Sequence, residues 1–178
     1  SKVVRRFERV PAFVLQADAK TLAALGRDRR VARVDIDTGG SGHAVAPDES
    51  SVMNQVHQLA ALGVGGAGMK VGIVDSGIDT NHTDFLGRIV GQQCFCSVGT
   101  GCCPNGGSSQ SGAGAAEDDH GHGTNVAGII GGDGTVAPRG ALPAASLVAV
   151  KVLDRNNRFN TTSDVVAALD WLATQHPD

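Results

Sequence analysis

Aromatic side chains are scarce in this 178-residue chain, at 3% of residues. A core without them must rely on Ala, Val, Leu and Ile, and 25 glycines provide for tight turns and close backbone approach. Long apolar runs are missing too: none approaches the ~20 residues of a membrane-spanning helix, so no membrane partner is expected. Charge of one sign is also lacking. With 15 Lys and Arg against 18 Asp and Glu, the net charge of -3 gives no footprint for nucleic acid or an anionic membrane. Arg5, Arg6, Arg27, Arg29 and Arg30 make the N-terminal region locally basic, which reads as a solvated surface. The opening SKVVRRFERV has basic residues but no apolar h-region, so it is not a signal peptide. Such a peptide is expected to have been removed earlier, or the chain to have been cut. What is present, 41% hydrophobic and 19% charged residues, suits one folded domain, with or without a small appendage.

Cysteine is absent except in CFCSVGTGCCPNGG, which holds Cys94, Cys96, Cys102 and Cys103. Zinc ligands usually follow C-x2-4-C spacing, so C-x-C beside C-C speaks only weakly for a metal. Adjacent Cα atoms lie about 3.8 Å apart, too close for an unstrained disulfide between Cys102 and Cys103. Cys94 and Cys96 are not expected to join each other either. Two crosslinks between the first pair and the second are expected, in either of two connectivities, and with them an oxidising compartment outside the cytosol.

Residues 10–18 read as a strand leading into a helix over 19–28, with Leu22, Ala23 and Leu25 on one side, and residues 30–37 read as a strand. TGGSGHAVAPDES (38–50) has linker composition and marks a domain boundary. Beyond it MKVGIVD (69–75) reads as a strand buried on both faces, NVAGII (125–130) begins a helix, and ASLVAVKVLD (145–154) is a second buried strand. TTSDVVAALDWLATQ (161–175) reads as a helix capped by Thr162 or Ser163, with Val165, Val166, Leu169 and Leu172 as its apolar stripe. This order predicts an α/β fold with parallel strands, interrupted by a polar insertion over 91–118.

In such a sheet, functional groups gather beyond the carboxyl ends of the strands. Asp75 is the last residue of the most apolar strand and is followed at once by Ser76-Gly77, so its carboxylate is placed to orient a histidine. Within DDHGHGTNVAGIIGG (118–132), His122 stands nearer the helix start than His120. The partial positive charge there disfavours imidazolium and suits a general base.

These residues carry a resemblance. VGIVDSGID (71–79) resembles the aspartate motif of the subtilisin-like serine peptidases, the subtilases, and HGTNVAGI (122–129) resembles their histidine motif. ALPAASLVAVKVLD (141–154) resembles the strand that follows. The match covers roughly residues 55–178. It implies a partial subtilisin-like catalytic domain with a parallel sheet, in which Asp75 and His122 are two members of an Asp-His-Ser triad, acting on protein or peptide substrates. His120 falls outside the motif. Asn125 replaces a histidine common in the family, but that position is not the base, so activity is expected to survive. Residues 4–37 look like the second half of a subtilase propeptide of α+β type, packing on the catalytic domain and blocking the cleft until cleaved somewhere in 38–50. The implied division is residues 1–37 as partial propeptide, 38–50 as linker and 51–178 as the N-terminal part of the catalytic domain, in a secreted enzyme. Many subtilases bind calcium. Asp79, Asp84 and Asp133 are candidate ligands here, although ordinary turn aspartates are the expectation and no cofactor is assigned.

The family's G-T-S-x-A motif for the nucleophile does not occur in these 178 residues, and Ser76, Ser108, Ser109, Ser111 and Ser146 lack its context. The chain is therefore expected to be a fragment, truncated at both ends and inactive alone. Two other readings stand beside this one. DSG also resembles the D-[ST]-G of aspartic peptidases, but that class needs a second such motif, or a homodimer, on an all-β fold. A non-catalytic subtilase-derived binding or inhibitor module would account for the missing serine.

Overall fold

The computed structural model describes residues 1–42, 58–59 and 62–176. Residues 43–50 of the expected linker, and with them most of the expected cleavage region, lie outside the described residues. In chain order the elements are β1 (Lys2–Arg6), β2 (Phe13–Gln16), α1 (Ala19–Leu25), β3 (Gly40–Ser41), β4 (Lys70–Asp75), β5 (Ile89–Phe95), β6 (Ser109–Ser111), α2 (His122–Gly131), β7 (Ser146–Lys151), β8 (Arg158–Phe159) and α3 (Thr162–Gln175).

The main sheet has the order β4-β7-β5-β6, with β4, β7 and β5 parallel and β6 antiparallel to β5. The α/β class with parallel strands, expected from the sequence, is thus the class observed. Between Ser146 and Lys151 the run LVAV is apolar without interruption, and β7 accordingly takes the interior of the sheet. Its side chains alternate between faces. Leu147 and Ala149 join Ile73, Phe85 and Ala127 under α2, whereas Val150 joins Val152 and Ala168 under α3. Burying a side chain of the size of Leu147 contributes about 1.5–3 kcal/mol. This two-sided cover fixes the end of β4 between two helices, where the candidate site lies.

Four local expectations are corrected. Residues 30–37 form no strand: Val34 and Ile36 are exposed and find no partner edge. The chain pairs β2 with β1 instead, a strand that the sequence pattern does not announce. β4 flanks the sheet, and Gly72 and Lys70 are exposed, so it is not buried on both faces. Residues 89–95 are a core strand rather than the start of a polar insertion. IVGQQCF hides its role because Gln92 and Gln93 interrupt the apolar run, yet Gln93 is buried and Gln92 accepts the Gly114 N–H at 2.8 Å.

The helices show further differences. In α1 Leu22 is exposed and no residue is buried; Asp18 caps it by accepting the Thr21 N–H at 2.8 Å. In α3 Leu169 points to solvent, and the inner face is made by Val165, Ala167, Ala168, Trp171 and Leu172. Neither Thr162 nor Ser163 caps α3, since both lie inside it. The carboxylate of Asp37 accepts the Ser163 N–H at 2.8 Å, and the Thr162 hydroxyl donates to Thr38 O at 2.8 Å. The N-terminal region therefore terminates a helix 126 residues away.

More contacts join these two regions. Arg5 donates to Ser163 O at 2.6 Å and reaches the buried Asp164 at 3.4 Å. The Asp170 carboxylate accepts the backbone N–H groups of Glu8, Arg9 and Val10 at 2.5–3.0 Å. β3 lies antiparallel to β8, and Gly42 N–H continues the ladder to Asn157 O at 2.9 Å.

The crosslinks join the pairs as expected and select one connectivity, Cys94–Cys103 and Cys96–Cys102, with Cα separations of 5.8 and 5.2 Å. Cys94 and Cys96 are fully buried beside Val98, so the bonds seal the end of β5. The chain-entropy argument for such short loops gives roughly 2–3 kcal/mol per bond. Reduction is expected to lower the urea midpoint, read by Trp171 fluorescence. An unchanged midpoint would mean that strand pairing alone holds β5.

Candidate active site

Two turns meet at the carboxyl end of β4. The first is Asp75-Ser76-Gly77; the second is the loop 118–121 that leads into α2. They meet closely because Gly123 has no side chain: a Cβ there would overlap Gly77 O. Gly121, in the left-handed region at φ 95°, turns the chain into the helix, and His122 is the first helical residue.

This arrangement brings together the two residues singled out in the sequence. His122 Nδ1 lies 2.6 Å from Asp75 Oδ1, and the two side chains are only 8% and 11% exposed. Asp75 Oδ1 also accepts the Ser76 N–H at 2.7 Å. A carboxylate holding the Nδ1 proton fixes the tautomer that leaves Nε2 as the basic nitrogen. Chemically, the pair can accept a proton from a hydroxyl presented to Nε2 and return it to a leaving group.

His120 stands apart: it is exposed, and its ring centroid is 6.3 Å from that of His122. Asn125 is exposed on α2 and touches neither Asp75 nor His122 through a hydrogen bond. Ser76, one of the serines without nucleophile context, is fully buried.

The three candidate calcium ligands all accept backbone hydrogen bonds. Asp84 is buried and accepts the Val136 and Ala137 N–H groups at 2.8 and 3.1 Å. Asp79 accepts from Asn81 N–H and Asp133 from Thr135 N–H, which are ordinary turn bonds. The Thr135 contacts hold the Asp133 carboxyl below its usual range. Among the described residues no group of three His, Cys, Asp or Glu side chains is assembled to hold a metal.

Sequence reasoning gives no role to Asp118 or Lys151, which lie directly behind the pair. Burial would push the Asp118 carboxyl up, but the Thr124 hydroxyl and the N–H groups of Gly121, His120 and Thr124 outweigh it and hold the pKa at about 2. Lys151, 1% exposed, donates to Ser76 O at 2.7 Å and to Asp119 at 2.6 Å. The usable signal for Asp118 is its place three residues before the helix-capping Gly121, where Asp commonly gathers backbone N–H groups. Lys151 carries no such signal beyond being a charge at the end of an apolar strand.

Comparison with known proteins gives the family of the chain. The sequence model described as the Subtilase family matches residues 66–178. An extracellular serine proteinase of Thermus sp. (strain Rt41A) is 33% identical over 162 residues, covering 87% of this chain and 35% of that protein. Subtilisin E of Bacillus subtilis (strain 168) is 29% identical, covering 99% of this chain and 42% of its own length. Among solved structures, sphericase superposes with a TM-score of 0.52 at 29% identity, over 64% of this chain and 34% of that one. The chain thus spans well under half the length of these relatives.

Proposed function

The chain belongs to the subtilase family, and from that premise we propose that it is part of a serine endopeptidase in which His122 is the general base and Asp75 orients it. The nucleophile would be a serine supplied from outside residues 1–178. His122 Nε2 would take the serine proton as the hydroxyl attacks the peptide carbonyl. Asp75 would hold the imidazole in the required tautomer and stabilise the imidazolium that forms, and His122 would then protonate the leaving amine. The observation that carries this reading is the 2.6 Å Nδ1–Oδ1 contact at the carboxyl end of β4. An aspartic peptidase site finds no support here, because Asp75 is paired with a histidine.

The same reading extends to the N-terminal region. Residues 1–37 would be the remaining part of a propeptide, making the protein a zymogen, with 38–50 as the linker cut during activation and 51–178 as catalytic domain. Antiparallel pairing of Gly40–Ser41 with Arg158–Phe159 supports this, since a peptide laid along an exposed strand edge occupies the place of an extended substrate. The protein would be secreted, a reading supported by the paired cysteines and by the extracellular relative. No helix among the described residues is long and apolar enough to cross a membrane.

The closeness of that pairing leads to a prediction. A Cβ at Gly39 would come within 2.5 Å of Phe159 O and 2.7 Å of Asn160 O, both backbone atoms. Gly39→Ala is expected to detach β3 and to raise hydrogen exchange at the Gly42 N–H at least 10-fold. Unchanged exchange would show that the β8 edge tolerates a side chain there.

The peptidase reading is tested with the longer protein carrying this chain. After removal of residues 1–50 it should hydrolyse casein. Phenylmethylsulfonyl fluoride should abolish the activity and pepstatin should not. A correctly folded protein without hydrolysis would overturn the reading.

A further inference from the structure

We propose that Ser76 and Asp118 are positioning residues for the Asp75–His122 pair, a proposal that rests on the peptidase reading above. The pair spans two elements whose members lie 47 residues apart in the chain. A hydrogen bond between side chains does not by itself keep a strand end and a helix start in register. The Ser76 hydroxyl does so directly. It accepts the N–H of Gly123, the residue after His122, at 2.9 Å, and donates to Asp118 Oδ1 at 2.8 Å. One buried hydroxyl therefore ties the neighbour of Asp75 to the neighbour of His122. From the other side Lys151 holds the Ser76 carbonyl at 2.7 Å, so Ser76 is fixed at both its backbone and its side chain.

Asp118 fixes the histidine's side of the contact. Its Oδ1 accepts the N–H groups of His120 and Gly121 at 3.0 and 2.9 Å. Its Oδ2 accepts both the N–H of Thr124, at 2.9 Å, and the Thr124 hydroxyl. The Thr124 hydroxyl in turn accepts the Asp79 N–H at 2.9 Å, which returns the network to the segment after Asp75. The residues on both sides of His122 are thus anchored to one carboxylate, and that carboxylate to Ser76. Neither Ser76 nor Asp118 bonds to the His122 ring. Their effect on proton transfer would pass through the geometry of the pair, where a misplacement of about 1 Å costs roughly 100-fold in rate.

The test is proton NMR on the 178-residue chain, reading the low-field resonance of the Nδ1 proton held between His122 and Asp75. Ser76→Ala and Asp118→Ala are each expected to lose that resonance while the β7 amides and the Trp171 indole keep their dispersion. Ser76→Thr, which keeps the hydroxyl, is expected to restore it. In the longer enzyme Ser76→Ala should lower kcat roughly 10–100-fold with KM changed less than about 2-fold. Persistence of the resonance in both alanine variants would overturn the proposal. So would collapse of the whole spectrum in both, because the cluster would then serve stability alone. The readout requires no hydrolysis, so a longer protein that fails to cleave casein would sink the peptidase reading and leave this result standing.

Discussion

His122→Ala in the proposed longer enzyme is expected to abolish casein hydrolysis, with kcat falling by about 10⁶-fold, and Asp75→Ala by about 10⁴-fold; both magnitudes are carried over from the triad of subtilisin. The inequality has a structural basis. Without His122 no imidazole stands in its place to take the nucleophile's proton: His120 is exposed, with its ring 6.3 Å from that of His122. Without Asp75 the imidazole stays in place at the start of α2 but loses the 2.6 Å contact that holds its Nδ1 proton. Because residues of such a triad act as a unit, the double variant should be hardly worse than His122→Ala alone. Single-turnover assays on the three variants check this. Multiplicative losses would mean that Asp75 and His122 act independently, contrary to the proposed mechanism.

What was legible in the sequence follows the periodicity and the punctuation. VGIVD and SLVAVK announce themselves as strands because apolar residues run without break, and HGTNVAG as a helix start because glycine precedes small apolar residues. That Asp75 and His122 form a pair was legible through the resemblance of VGIVDSGID and HGTNVAGI to the subtilase motifs, since position at the end of a strand and nearness to a helix start favour these residues without joining them. β5 was not legible, since a strand sealed by disulfides can carry two glutamines and still be buried. Residues 30–37 show the reverse error: alternating Val31, Val34 and Ile36 read as a strand, but they pair with no edge and Val34 and Ile36 stay exposed. The positioning network is illegible for a different reason. Ser76, Asp118 and Lys151 meet through three separate chain segments, and nothing in a single sequence couples them. The same holds for the docking of the N-terminal residues, where the decisive acceptor, Asp170, sits on a helix whose pattern otherwise describes only packing.

Asp170→Ala is expected to release the first ten residues from α3, with hydrogen exchange at the Arg9 and Val10 N–H groups accelerated about 100-fold. One buried carboxylate accepts three backbone N–H groups there. A bond to a charged acceptor contributes about 1.5–3 kcal/mol net of water, and three bonds that share one carboxylate do not add, so the equivalent of one to two such bonds, about two decades, is expected. Trypsin cleavage at Arg27, Arg29 and Arg30 should accelerate in the same variant. The contact also predicts a pH dependence. Burial would push the Asp170 carboxyl up, but the N–H groups of Glu8, Arg9 and Val10 outweigh it, helped by the charge of Arg9, and hold it below 3.8. A carboxyl whose pKa is lowered by docking stabilises the docked state fully above its undocked value. That stabilisation is lost as the pH falls through the lower, docked value. Exchange protection of Arg9 and Val10 should thus be flat between about pH 5 and 7 and fall below about pH 4, ahead of the β7 amides. In Asp170→Ala this extra acid step should vanish. If the acid step persists in the variant, the docking is governed by other groups, with Arg5 and Asp164 the next pair to change.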